Sequence, residues 1–171
     1  MEKIVITYAW ATWCWKSPIT NYMSTKLWLP TFNTDAIRSE ICEDSLKFNE
    51  DEAQRRIRER YISIIEKWVS FIFDASVDRK RPILKEVLRE NWYKIFIISI
   101  DLDKETLQKF YESKWYNESM KMIDKIYEDH QKFLKEYSSD INLHINENNY
   151  KKRLEIVYEA VYHRIEEIEK C

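Results

Sequence analysis

The chain has 171 residues, with 28 basic side chains against 30 acidic ones and a formal charge of −2. That length suits one domain with a full core and a ligand site. The balanced charge excludes a chain built throughout for nucleic acid or an anionic membrane, leaving local basic patches open. The chain has no glycine but seven tryptophans, although about a dozen glycines are ordinary at this length. Apolar runs are strand-sized, so no membrane span is expected. "MEKIVITYA" lacks the basic-then-apolar pattern of a secretory signal. Cys14, Cys42 and Cys171 are scattered and odd in number, which reads as reduced thiols in a cytoplasmic protein.

In chain order, "KIVITYA" predicts a first strand over Lys3–Ala9, followed by "WATWCWKS" and a helix over Lys16–Leu27. Pro18 is tolerable there because first-turn amides lack intrahelical partners. "LPTFNT" predicts a short second strand ending before Asp35, and Ile37 to Lys67 reads as mostly helical. "VSFIFDAS" is a buried third strand, "KRPILKEVLREN" a helix and "YKIFIISIDL" a fourth strand. Glu105 to Tyr137 reads as two or three polar helices, "INLHIN" as a short fifth strand, and Asn149 to Lys170 as a final helix. Leu154, Val157, Tyr158, Val161 and Ile165 recur there at helical spacing, a stripe that packs against a sheet. Short apolar runs alternating with amphipathic stretches give the βαβ pattern of a mostly parallel sheet. No repeat or linker divides the chain, so residues 1–171 form one domain, with 105–137 long enough to act as a mobile lid.

Positions of the tryptophans carry the chemistry. With Trp10, Trp13 and Trp15 read as glycine, "WATWCWKS" has the G-x-x-x-x-G-K-S form of a P-loop. The other four follow the ends of helix-like runs in "TKLWLP", "IEKWVS", "RENWYK" and "ESKWYN", where a left-handed glycine normally stops a helix. We therefore read the chain as one whose glycines are all written as tryptophan. Deliberate substitution fits, and so does a gene whose UGA codons mean glycine but were read as tryptophan. In the glycine form, backbone N–H groups of residues 10–15 (Trp10, Ala11, Thr12, Trp13, Cys14, Trp15) cradle phosphate oxygens at a helix N-terminus. Lys16 reaches the β- and γ-phosphates of ATP, and the Ser17 hydroxyl completes a Mg²⁺ site.

Asp35 follows the second strand, where ligands of open parallel sheets collect, and can accept a substrate hydroxyl's proton. Arg38 lies one helical turn on and can address the same substrate; the alternative is an N-cap Asp with a surface Arg. Asp74 ends an apolar run in the Walker B manner and would hold Mg²⁺, though a strand-ending Asp also begins turns. Arg79 and Arg81 could face phosphate or solvent. His130, His144 and His163 show no metal-ligand spacing and read as structural or surface residues. "RRIRER" has acids nearby and reads as a solvated helix face. Tyr111, Tyr116, Tyr127 and Tyr137 could stack on a base, with packing the commoner use.

Through "WATWCWKS", "LPTFNTDAIR", "WVSFIFDASVDRKR" and "WYKIFIISID", the first hundred or so residues resemble the small P-loop kinases of the polynucleotide kinase and zeta toxin group, often described as AAA-type ATP-binding proteins. The resemblance implies an α/β P-loop NTPase-type three-layer sandwich with a mostly parallel five-stranded sheet and a helical lid. It also implies ATP·Mg²⁺ as donor and transfer of the γ-phosphoryl to a hydroxyl of a small molecule or nucleic-acid end. On matching positions Lys16 and Asp35 are catalytic, Asp35 being the base-like carboxylate, and Arg38 orients substrate. The chain departs from the pattern in its loop tryptophans, in Pro18 where a second Ser or Thr is usual, and in a lid offering lysines (Lys109, Lys114, Lys121, Lys125) instead of arginines. Lysine supplies charge without a bidentate fork, which keeps a second reading open: an ATP-binding regulatory module with little or no transfer. A third, a membrane-surface protein anchored by Trp10, Trp13 and Trp15, lacks an amphipathic helix to carry them. No obligate protein partner is evident. The chain as written is expected to fold poorly and not to bind ATP.

Overall fold

Five strands and six helices are found among the residues that this computed structural model describes, namely 2–9, 16–78, 88, 90–113 and 120–170. They run β1 (Lys3–Ala9), α1 (Lys16–Leu27), β2 (Thr31–Phe32), α2 (Thr34–Ser45), α3 (Glu50–Glu66), β3 (Phe71–Ser76), β4 (Tyr93–Asp101), α4 (Lys104–Ser113), α5 (Ile123–Tyr137), β5 (Leu143–Asn146) and α6 (Arg153–Lys170). The sheet has the order β2-β3-β1-β4-β5 and every pairing is parallel. Such a sheet must be covered on both faces, and the strands read accordingly as near-continuous apolar runs.

Alternation along β1 assigns the two faces. Ile4, Ile6 and Tyr8 join a core with Ile19 and Met23 of α1, Ile98 of β4, and Val157 and Val161 of α6. Val5 and Ala9 point the other way, into a core with Phe32 of β2, Ile37 and Ile41 of α2, Ala53 of α3 and Phe71 of β3. The predicted stripe on the last helix therefore packs as expected, with Val157 and Val161 fully buried and Leu154 and Ile165 against them. α5 serves both cores, giving Ile123 and Ile126 to the first and Phe133 to the second. Tyr111 is fully buried, and Tyr137 packs at a tilt against Phe133 with ring centres 5.2 Å apart. Packing, the commoner use, is thus the one observed for Tyr111 and Tyr137.

Several predicted boundaries move. The second strand shrinks to Thr31–Phe32, because Asn33 turns the chain into α2 by accepting the amides of Asp35 and Ala36. The long helical stretch breaks into α2 and α3 at Leu46, which adopts φ 56°, and Asn49 caps the new start through the Glu52 amide. The fifth strand is Leu143–Asn146, and the last helix begins with a single 3₁₀ turn at Tyr150–Lys152. Most of the helix expected at "KRPILKEVLREN", with Arg79 and Arg81 before and within it, lies outside the described residues, as do Trp115 and Tyr116. The basic run on α3 is neutralised as expected: Arg55 bonds Glu52 and Glu59, Arg56 bonds Glu40, Asp44 and Glu52, and Arg60 bonds Glu40.

Trp28, Trp68 and Trp92 all have left-handed backbones, with φ of 55°, 52° and 60°. Trp68 takes the position after the α3 cap, its N–H donating to the Ile65 carbonyl at 3.0 Å. A side chain with a Cβ pays about 1–2 kcal/mol for that conformation. Trp28 and Trp92 are 90% and 75% exposed, so little packing offsets the strain. We expect Trp28→Gly and Trp92→Gly together to raise stability by about 2 kcal/mol, allowing for glycine's greater freedom when unfolded. Thermal melting should then shift upward by about 4–8 °C. An unchanged or lower midpoint would refute the strain argument. Trp68→Gly should gain less, because its ring packs edge-on against Tyr93 at 5.3 Å.

Candidate active site

β1 brings the chain to the carboxyl edge of the sheet at Ala9, and α1 leaves from that edge at Lys16. The cradle between them, Trp10, Ala11, Thr12, Trp13, Cys14 and Trp15, lies outside the described residues. Lys16 and Ser17 open α1, with Ser17 exposed. Lys16 Nζ sits 3.8 Å from Asp74 Oδ1 and 5.9 Å from the centre of the Tyr8 ring. Tyr8 is fully buried and shares a 2.8 Å hydrogen bond with Thr20 on α1. Burial pushes its phenol far above the usual range, so it stays neutral and props the first turns of α1 against β1.

Asp74 does not end its strand; β3 continues to Ser76. The register against β1 slips there, with Ile6 opposite Ile72 but Tyr8 opposite Ser76. Two extra β3 residues are therefore accommodated, a bulge of the kind that re-aims side chains next to active sites. Thr7 Oγ1 donating to the Ala75 carbonyl at 3.1 Å and the Val77 amide donating to the Tyr8 carbonyl at 2.9 Å hold it in place. The Asp74 carboxylate is consequently buried. Its Oδ2 accepts Asn33 Nδ2 at 3.2 Å, while its buried Oδ1 faces Lys16 Nζ at 3.8 Å, and Thr20 and Lys16 both stabilise the carboxylate. Burial pushes its carboxyl above the ordinary range, the charge of Lys16 pulls it back, and the nearby Asp35 adds to the rise. A buried carboxylate beside a lysine has the chemistry of an oxygen ligand for a hard cation. Among the described residues no three His, Cys, Asp or Glu side chains converge as a metal cage.

Asp35 is exposed in the first turn of α2. Arg38 is not turned toward it. Its guanidinium makes a bidentate pair with Glu50 at the start of α3, at 3.0 and 3.1 Å, and lies 5.1 Å over the Phe48 ring. The structure thus brings Lys16, Asp74 and Asp35 to one edge, while Arg38 braces α2 against α3. An open groove of about 360 Å³ lies between β2, the start of α2 and the end of α3, lined by Thr31, Asn33, Ala36, Arg60, Ser63 and Lys67 among others.

Two polar features escaped sequence reasoning. Asn33 is one, although an Asn just before a helix is a recognisable cap signal. The other is a buried cluster at the ends of β3 and β4. His130 of α5 is fully buried, its Nδ1 3.1 Å from Asp78 and its Nε2 3.0 Å from Asp101. Asp101 also accepts Ser99 Oγ and contacts the His144 ring. "FIISID" is an apolar run ending in Asp, as conspicuous as the one before Asp74, but nothing in the sequence pairs it with a histidine 29 residues on.

No family model matches the chain, and neither does any curated protein. Solved structures do match in shape. A protein of Chloroflexus aurantiacus J-10-fl with a provisional kinase name aligns over 98% of both chains at TM-score 0.67 and 10% identity. The deoxyadenosine kinase of M. mycoides, solved with bound dCTP, covers 94% of this chain and 100% of its own at TM-score 0.57 and 12% identity. A gluconokinase of Sinorhizobium meliloti 1021 covers 97% and 95% at TM-score 0.55 and 9% identity. At such identities the likeness concerns the fold alone: an α/β three-layer fold with a five-stranded, wholly parallel sheet, which those kinases share.

Proposed function

We propose that the chain is a P-loop kinase of the polynucleotide kinase and zeta toxin type, a single cytoplasmic domain in which glycine is the working residue at all seven tryptophan positions. Its reaction moves the γ-phosphoryl of ATP to a hydroxyl of a small molecule or nucleic-acid end. The observation that carries this reading is Lys16, first residue of the helix after β1, set 3.8 Å from the bulged, buried Asp74 of the neighbouring strand. Left-handed backbones at Trp28, Trp68 and Trp92 support the glycine assignment.

In that enzyme residues 10–15 and the N-terminus of α1 bind the phosphates. Lys16 meets the β- and γ-phosphate oxygens. Ser17 and Asp74 would hold Mg²⁺, which when bound offsets phosphate charge. Asp35 accepts the proton of the acceptor hydroxyl as its oxygen attacks the γ-phosphorus; the bond to the β–γ bridging oxygen breaks, and its electron pair leaves with ADP. Arg38 can orient an acceptor only after leaving Glu50. Segment 105–137 is the proposed lid, anchored to the body by Leu107, Tyr111, Ile123, Ile126, His130 and Phe133, all of them buried.

The second reading, an ATP-binding regulatory module, is favoured by one observation: residues 105–137 contain no arginine to meet a transferring phosphate. Labelled ATP, the chain with glycine at all seven positions, and a panel of nucleoside, sugar, antibiotic and polynucleotide 5′-hydroxyl acceptors decide between them. A kinase labels one class and loses about 10²- to 10⁴-fold in turnover in Asp35→Asn while keeping its ATP affinity. ATP binding with no labelled acceptor, unchanged by Asp35→Asn, establishes the module instead.

A further inference from the structure

One side-chain amide ties the two halves of this site together. In β2 and β3, Thr31 lies opposite Ile72 and Phe32 opposite Phe73, a register that sets Asn33 next to Asp74. Asn33 Oδ1 accepts the amides of Asp35 and Ala36 at 2.9 and 3.2 Å, fixing the first turn of α2. Its Nδ2 donates to Asp74 Oδ2 at 3.2 Å. Asp74 Oδ2 is thereby held, and the buried Oδ1 is the oxygen presented toward Lys16. A free carboxylate in a bulge can rotate about its last torsion, and one fixed oxygen removes that freedom. Outer groups of this kind commonly set how well a carboxylate takes a metal.

We propose that Asn33 is a positioning residue of the phosphoryl-transfer site: it orients the Asp74 carboxylate for Mg²⁺ and locks that orientation to the helix start bearing Asp35. Capping alone needs only an oxygen acceptor, which serine supplies as well as asparagine. The second role needs a donor long enough to reach Asp74, which serine lacks. Asn33→Ser therefore separates the two roles, and Asn33→Ala removes both. The inference rests on the nucleotide reading above.

The test uses the full chain with glycine at the seven positions and measures ATP affinity calorimetrically, with and without Mg²⁺, beside thermal melting. Asn33→Ser should melt within about 2 °C of its parent and bind metal-free ATP as the parent does. The gain in ATP affinity conferred by Mg²⁺ should fall about tenfold. Asn33→Ala should show that same loss together with a lower melting point. In an Asp74→Asn background, Asn33→Ser should change the Mg²⁺ gain no further. An Asn33→Ser protein with the parent's full Mg²⁺ gain overturns the role of Asn33 and leaves the nucleotide reading standing. A parent that binds no ATP overturns the nucleotide reading and this inference with it.

Discussion

Replacing Trp10, Trp13 and Trp15 by glycine is expected to raise affinity for MgATP by at least about a hundredfold over the chain as written. A phosphate cradle needs amides turned inward, which requires positive φ at positions where a bulky side chain is strongly disfavoured. Three indoles would also fill the volume that a triphosphate occupies. Everything around the cradle is already in place: a central strand, a helix starting at Lys16, and Asp74 behind it. The substitution should thus restore binding without rebuilding the fold. At ATP concentrations near a hundred times its dissociation constant, the glycine form gains about 2.7 kcal/mol, a rise of about 5–10 °C in melting temperature for a chain of this size. The tryptophan form should show no such rise. Equal stabilisation of both forms would sink the steric argument, and stabilisation of neither would sink the phosphate-loop reading.

The second large effect concerns stability. His130 stands between Asp78 and Asp101 with no exposed surface. Burial alone would push its imidazolium down, but the hydrogen bonds it donates to Asp101 and Asp78 outweigh burial and raise it. For Asp101 burial pushes upward, and the bonds from His130, Ser99 and His144 outweigh it and hold the carboxyl low. Removing one partner of a buried ionic cluster leaves the others uncompensated, typically at about 3–5 kcal/mol. We expect His130→Ala to lose that much, lowering the melting temperature by about 6–20 °C. Two opposite signs follow for pH. The histidine contribution is fully present below its unfolded value of 6.5 and is lost as pH rises through the raised folded value. The Asp101 contribution is present above 3.8 and is lost as pH falls through its lowered folded value. Urea unfolding should accordingly show stability declining as pH is raised above 6.5, and His130→Gln should flatten that decline. The same slope in both proteins would show that His130 is not charged in the fold.

Much of this architecture was legible in the residues. β1 and β4 are runs too apolar to be anything but strands buried on both faces, and their spacing by amphipathic helices forces parallel pairing. Lys16–Ser17 at the junction of strand and helix, and Asp74 in its apolar run, mark an edge of the sheet by order alone. The tryptophans after helix ends forecast left-handed backbone because that conformation is a local property of the chain, and Trp28, Trp68 and Trp92 adopt it. Leu46 adopts it too, at φ 56°, and nothing in its identity announces that; the demand comes from the turn between α2 and α3.

Long-range partners were decided only in three dimensions. Whether Arg38 meets a substrate or Glu50 depends on where α3 lies, since a guanidinium takes the nearest well-shaped carboxylate. The bulge that buries Asp74 is a mismatch between two strands and exists in neither alone. His130 read as a structural or surface histidine, and only the packing of α5 against the ends of β3 and β4 decided for the first. Local propensity and periodicity are written along one segment of chain, so sequence determines them. A buried charge draws its meaning from groups far away in the chain, and only the packed fold brings those together.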